Sequence, residues 1–277
     1  MFAGLSNKIG LIGLVLSIVH VPVANAAENW SGFYIGASAG YAWGQSSANT
    51  GSDCPGTGVT RLGYYCDGGV PGLLPNSAAV GASGSGSLSQ SGFTGGGQAG
   101  YNVQRGNWVL GLEADFSSLR LNGSRAGPRT FYPALGAGTA FTVNSSIDSS
   151  WLMTARARAG WTVSNALIFV TAGLAVSELT VSNSFLDNAS IVIGTNASGS
   201  GSTREIKGGY AVGGGVEWSL TRNWSVKGEY LYVDLGDVQA SARVTNPGFL
   251  APGASNLVTT STDLTAHIAR FGANYRF

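Results

Sequence analysis

Two short glycine patterns in this chain have spacings associated with chemistry. Gly95-Gly96-Gly97-Gln98-Ala99-Gly100 matches G-x-G-x-x-G, and Gly36-Ala37-Ser38-Ala39-Gly40 matches G-x-S-x-G. The first would cradle a pyrophosphate and the second would present a nucleophilic serine, each at a turn from a strand into a helix. Neither has a helix to turn into. Both lie inside stretches that alternate with period two and run on into Tyr101 or Tyr41. Glycines that let neighbouring groups approach closely within a strand explain both patterns. Ser38 would also need a base, and beyond the N-terminal leader the sequence offers one histidine, His267. Cys54 and Cys66 sit close together in a Gly-, Pro- and Ser-rich stretch. In an exported chain an oxidising compartment favours a disulfide over two free thiols, and two thiols without nearby histidines make an incomplete metal site. No catalytic set, cofactor or metal is expected.

The charged residues are more informative. Glu113, Asp115, Arg156, Arg158, Glu217, Lys227, Glu229, Arg270 and Arg276 all fall on one side of an alternation whose other side is aromatic and aliphatic. Between Asn107 and Leu119, Trp108, Leu110, Leu112, Ala114 and Phe116 alternate with Val109, Gly111, Glu113, Asp115 and Ser117. At the end of the chain Phe277, Tyr275, Ala273, Phe271, Ala269 and His267 oppose Arg276, Asn274, Gly272, Arg270 and Ile268. Period two belongs to a strand with one apolar and one polar face.

The same pattern recurs in Trp30–Gly44, Gln90–Val103, Trp151–Val163, Ala166–Val181, Tyr210–Leu220 and Trp224–Tyr232. In Ala166–Val181 either Leu167/Phe169 or Ile168/Val170 would suit an apolar face. Arg105-Gly106-Asn107, Ser164-Asn165 and Thr221-Arg222-Asn223 are tight turns, whereas the stretches from Gly44 to Gln90, Leu121 to Asp148, Ser182 to Glu205 and Gln239 to Ser261 are expected loops. The fold so predicted is all-β: an eight-stranded antiparallel transmembrane β-barrel over residues 27–277, with four long surface loops and short periplasmic turns. About ten residues at ~3.3 Å each, tilted ~45°, cover roughly 23 Å, close to the ~25 Å apolar band of such barrels. A soluble lipocalin-like barrel would instead crowd Trp108, Trp151, Trp161, Trp218 and Trp224 into one narrow interior and turn Glu113, Arg156 and Glu217 to water. A girdle at the membrane interfaces accommodates those tryptophans.

Composition agrees. Glycine supplies 43 of 277 residues and charged residues only 10 %, against about 25 % charged in ordinary soluble domains. A net charge of +1 provides no field for nucleic acid. Lys8, the apolar run Ile9 to Val19 and Ala24-Asn25-Ala26 read as a secretory leader over residues 1–26. That run is too short for the ~20 residues a membrane helix needs.

Trp30-Ser-Gly-Phe-Tyr-Ile-Gly-Ala-Ser-Ala-Gly-Tyr41, Asn223-Trp-Ser-Val-Lys-Gly-Glu-Tyr-Leu-Tyr-Val-Asp-Leu-Gly236 and Asn274-Tyr-Arg-Phe277 resemble the small outer-membrane immunogenic proteins, the RopB-type porin-like β-barrels of Gram-negative bacteria. The resemblance covers essentially the whole mature chain. It implies an abundant surface barrel of the outer membrane, pore-forming in some members and linked to haemin or host contact in others. Tyr64 and Tyr65 are the residues that would have to join His267 in a haem site. Some eight-stranded barrels are lipid A deacylases with a late His-x-Ser pair, but Ala269 stands where that serine would be. Phe271, Tyr275 and Phe277 resemble the C-terminal signal read by the barrel assembly machinery. The expected role is non-enzymatic, structural or surface-interacting through the extracellular loops. The alternative is a small-solute porin-like channel. Expected partners are outer-membrane lipid, the assembly machinery and a surface partner whose nature the loops do not disclose, with no nucleic acid.

An eight-stranded barrel has an interior only wide enough for its own side chains. Counting from the turns sets Glu113 and Asp115 level with Arg158 and Arg156, and Glu217 opposite Lys227. A lumen plugged by ion pairs is therefore expected, with water-sized gaps at Gly36, Gly40, Gly213 and Gly215.

Overall fold

A computed structural model describes residues 29–53, 74–135, 137–245 and 256–277. Cys54, Cys66, Tyr64, Tyr65 and the leader lie outside the described residues. Period-two stretches become the strands β1 (Gly32–Asp53), β2 (Gly86–Arg105), β3 (Trp108–Ala126), β5 (Ala140–Val163), β6 (Ala166–Asp187), β7 (Ser198–Ser219), β8 (Trp224–Thr245) and β9 (Asn256–Arg276). A short β4 (Thr130–Phe131) pairs with the start of β5. Helix α1 (Leu74–Gly84) precedes β2, and the single turn α2 (Ser190–Ile193) precedes β7. The eight long strands follow one another antiparallel from β3 through β2, β1, β9, β8, β7 and β6 to β5, and β3–β5 pairing closes the ring. Gly106 and Ser164 occupy the left-handed region, at φ 60° and 56°, which the two tight turns beside them require.

The outward face between two aromatic rings is apolar. The lower ring includes Phe33, Trp108, Trp161, Trp218 and Trp224, with Trp108 edge-on to Trp161 at 4.9 Å. The upper includes Tyr41, Trp43, Phe93 and Phe116, with Trp151 stacked on Phe116 at 5.9 Å. Phe33 to Trp43 is ten residues along β1, roughly 23 Å of height at ~3.3 Å per residue and ~45° tilt. β6 resolves its ambiguity: Ile168, Val170 and Leu174 point outward, while Leu167 and Phe169 are buried inside.

The strands do not stop at the upper ring. β1 continues from Trp43 to Asp53, and much of the expected second, third and fourth loops is strand. Above the ring the two faces exchange character. Outward positions become Gln45, Ser47 and Asn49 on β1, or Asn122 and Ser124 on β3. Inward positions become Leu119, Leu121, Ile147, Leu179, Val181, Val238 and Leu264, which pack as one buried cluster. Below the ring the barrel is therefore built for lipid outside, and above it for water outside, with burial of aliphatic side chains as the driving force. A second cluster, including Phe141, Val143, Phe185 and Val258, lies under α1, which contributes Val80. Arg125 Nη1 donates to the Ser83 carbonyl of α1 at 2.8 Å, and Ala134 N–H donates to Asn76 Oδ1 at 2.9 Å. α1 is thus fastened over the top of the barrel.

Candidate functional site: the charged lumen

The polar residues of β3, β5, β8 and β9 converge in the membrane-spanning lumen. Arg156 is the hub. Its Nη2 reaches Glu113 Oε1 at 2.7 Å and Asp115 Oδ2 at 2.9 Å, and its Nη1 reaches Glu229 Oε1 at 2.6 Å. Lys227 Nζ lies 2.8 Å from Glu113 Oε1 and 3.5 Å from Glu229 Oε2. Arg270 spans Glu229 at 2.7 Å and Asp115 at 3.0 Å. The Tyr34 hydroxyl donates to Glu113 Oε2 at 2.7 Å. That ring lies over Gly100, where a Cβ would come within 2.4 Å of the hydroxyl. Three acids and three bases thus form one cluster that excludes water, and each charge is met by opposite charge and hydrogen bonds.

Nearer the periplasm Arg158 pairs with Glu217, which also accepts from Ser225 Oγ and, at 2.8 Å, from Asn274 Nδ2. The Arg158 guanidinium lies 3.9 Å from the Phe169 ring centre, a cation–π contact. Phe169, Trp30, Val109 and Leu167 pack as an apolar layer across the mouth. Arg276 closes it from below, 4.6 Å from the Trp30 ring centre and donating to the Asn29 carbonyl at 3.0 Å.

The nine charges marked in the sequence all line this lumen, but two of the expected pairings differ. Glu113 stands opposite Arg156, not Arg158, because counting from separate turns ignores the stagger a closed ring imposes between β3 and β5. Glu217 does face Lys227 in register, yet its ion pair is with Arg158. Lys227 extends instead to Glu113. Nor do the luminal glycines leave gaps: a Cβ on Gly36 would come within 2.1 Å of Asn274 Oδ1, and one on Gly215 within 2.9 Å of Phe169. Tyr34 and the apolar layer at the mouth carry no charge that would mark them as luminal; Trp30 stands at the first position of the alternating stretch, before β1 begins at Gly32.

The two glycine motifs lie in mid-strand, Gly95–Gly100 in β2 and Gly36–Gly40 in β1. Ser38 points into the barrel, whereas His267 sits on the outer wall, stacked on Trp43 and hydrogen-bonded through Nδ1 to the Tyr230 hydroxyl at 2.6 Å. The wall separates them, so they form no catalytic pair.

A closed antiparallel ring with an apolar belt between aromatic girdles and charges within is a transmembrane β-barrel of the outer-membrane class. The family model of the outer membrane protein β-barrel domain matches residues 11–277, and the chain belongs to that family. It is 30 % identical to a 31 kDa outer-membrane immunogenic protein of Brucella melitensis over 268 residues, covering 95 % of this chain and 91 % of the relative. It is also 30 % identical to a 22 kDa outer membrane protein of Rhizobium leguminosarum over 143 residues, 52 % of this chain and 53 % of that protein. Among solved structures, OprG from Pseudomonas aeruginosa aligns with a TM-score of 0.41 and 14 % identity, over 91 % of this chain and 98 % of OprG. The protein resides in the outer membrane.

Proposed function

We propose that this protein is a sealed, non-enzymatic barrel that acts from the cell surface, through the wall and loops it raises above the membrane. The observation that carries this reading is the filling of the lumen at every level. The apolar layer at Trp30, the ion-pair cluster around Arg156, the aliphatic cluster above it and α1 succeed one another along the axis. A permeating solute would have to break ion pairs whose members are costly to expose singly to a low-dielectric interior. Reconstituted into a planar bilayer, the wild-type monomer should show at most small, intermittent currents. A steady conductance of porin size would overturn the sealed reading in favour of a small-solute channel.

The partners proposed with it are outer-membrane lipid along the apolar belt and the barrel assembly machinery along β9. Phe277 supports the second. Its side chain is 69 % exposed, beside Phe33 at 5.7 Å and Tyr275 at 5.2 Å. Phe277→Asp should lower the amount of barrel inserted in the outer membrane while leaving export to the periplasm intact; normal outer-membrane levels would argue against that role.

A further inference from the structure

One stretch of the outer wall combines an apolar groove with a charge at its end. The groove, of about 640 Å³, lies on the β2–β3 hairpin and is lined by Tyr101, Val103 and Arg105 of β2 and by Trp108, Leu110 and Leu112 of β3. The ladder sets Tyr101 across from Leu112, Val103 from Leu110 and Arg105 from Trp108. All six residues are exposed. The tight turn with Gly106 at φ 60° fixes the Arg105–Trp108 pair at the rim, and the Trp108 ring meets Trp161 edge-on. Among the described residues the three periplasmic turns carry two charges, Arg105 and Arg222, and no acidic side chain.

Height and charge together identify the occupant. Trp108 belongs to the lower aromatic ring, and Leu112 lies midway between Trp108 and Phe116 on β3. Arg105 stands four residues from Tyr101 on β2, roughly 9 Å lower at ~3.3 Å per residue and ~45° tilt. The groove thus runs through the periplasmic half of the ~25 Å apolar belt. That half faces the inner leaflet, whose lipids are phospholipids. Its lower end comes out at headgroup height beside a guanidinium, whose planar fork pairs with phosphate through two parallel hydrogen bonds. The indole N–H of Trp108 adds a donor at the same height, where such side chains meet the membrane interface. With two cations and no acidic side chain on the turns, a net negative headgroup is favoured over a zwitterionic one.

We propose that the groove of the β2–β3 hairpin is a binding site for one anionic phospholipid of the inner leaflet, with an acyl chain along Val103, Leu110 and Leu112 and the phosphate on Arg105. The site rests on lipid covering the apolar belt, and it names the lipid preferred at one point of that belt. The test uses the full mature protein in nanodiscs of phosphatidylethanolamine with a minor share of phosphatidylglycerol. Native mass spectrometry then identifies the lipid that stays bound when the disc is removed. Wild type should retain one phosphatidylglycerol, in excess of its share in the disc. Arg105→Gln should lower that retention about fivefold, the worth of one arginine beside an anionic lipid surface. Arg222→Gln, at the other charged turn, should leave it unchanged. Val103→Trp fills the groove with Arg105 intact and should lower retention as well. The heat-modifiable gel shift of each protein shows whether it has inserted and folded. An inserted wild-type barrel with no preferred lipid overturns the site and leaves the lipid-covered belt standing, whereas a wild type that does not insert overturns the belt and the site with it. An equal loss from Arg222→Gln, retention insensitive to both Arg105→Gln and Val103→Trp, displacement of the lipid by millimolar inorganic phosphate, or a second copy of the chain in place of lipid would each overturn the proposal.

Discussion

Arg156→Met should destabilise the folded barrel by about 3–5 kcal/mol, the cost of removing one partner from a buried ion pair. Arg156 is fully enclosed and touches Glu113, Asp115 and Glu229 at 2.6–2.9 Å. Without it those three carboxylates keep only Lys227 and Arg270 as bases within the cluster. Methionine fills part of the volume, so the loss reports charge more than cavity. Arg156→Lys keeps the charge but gives up the planar fork that serves three carboxylates together, and should lie between the two. A sharper form of the same test is a cycle at the neighbouring pair. Lys227→Met and Glu113→Gln each upset the balance of charge, whereas the double variant removes one of each sign. Its cost should fall below the sum of the singles by about 0.5–3 kcal/mol, the range measured for groups that share one network. Urea midpoints in detergent, followed by the heat-modifiable gel shift of folded barrels, measure all of these. An Arg156→Met midpoint within error of wild type would show that the cluster does not hold the barrel together.

The lumen was legible because charge on a membrane strand has only one place to go. Glu113 and Asp115 alternate with Leu112, Ala114 and Phe116, and Arg156 and Arg158 alternate with Ala155, Ala157 and Ala159. The identity of each partner was not legible, because it depends on the stagger between strands and on how far long side chains reach across the ring. The upper half of the strands was obscured for a different reason. Above the girdle the outward residues become serine and asparagine, which in sequence look like loop. Two irregularities also break the period. Between Ser149 and Leu152 the β5 register slips, so that Trp151 and Ser150 both face outward. Between Asp234 and Asp237 the register of β8 against β9 slips as well, at Gly236 with φ 67°. A β-bulge inserts one residue and re-aims everything beyond it. A strict alternation carried through Trp151 or Gly236 assigns every later residue to the wrong face.

That exchange of faces has a direct consequence for where a charge is tolerated. Leu112 lies midway between Trp108 and Phe116 on β3 and is 68 % exposed to the lipid side. Leu112→Arg should cost about 2–4 kcal/mol, the penalty of an arginine at the midplane of a barrel's lipid face. Ser146 is also outward, on β5 above the girdle. There water surrounds the wall, and Ser146→Arg should stay within about 0.5 kcal/mol of wild type, as for an ordinary surface substitution. Inside the barrel the order inverts. The lumen at membrane height accepts nine charges, but the aliphatic cluster above it contains Leu179 with no exposed surface. Leu179→Asp sets a carboxylate without a cationic partner in the cluster that holds Leu121, Ile147, Val181 and Val238, and the hydroxyl of its register neighbour Ser149 is already shared with Ser177. Burial of such a group without a partner costs several kcal/mol, so this variant should be among the least stable of the set despite lying outside the bilayer. Measured together by urea titration in one detergent, the three substitutions separate two pictures of the molecule. If lipid reached as high as the strands do, Ser146→Arg would be as harmful as Leu112→Arg. If the stretches above the girdle were loops without a core, Leu179→Asp would be nearly silent. The stability order expected for a barrel that changes solvent along its length is Ser146→Arg well above Leu112→Arg, with Leu179→Asp as low as Leu112→Arg or lower.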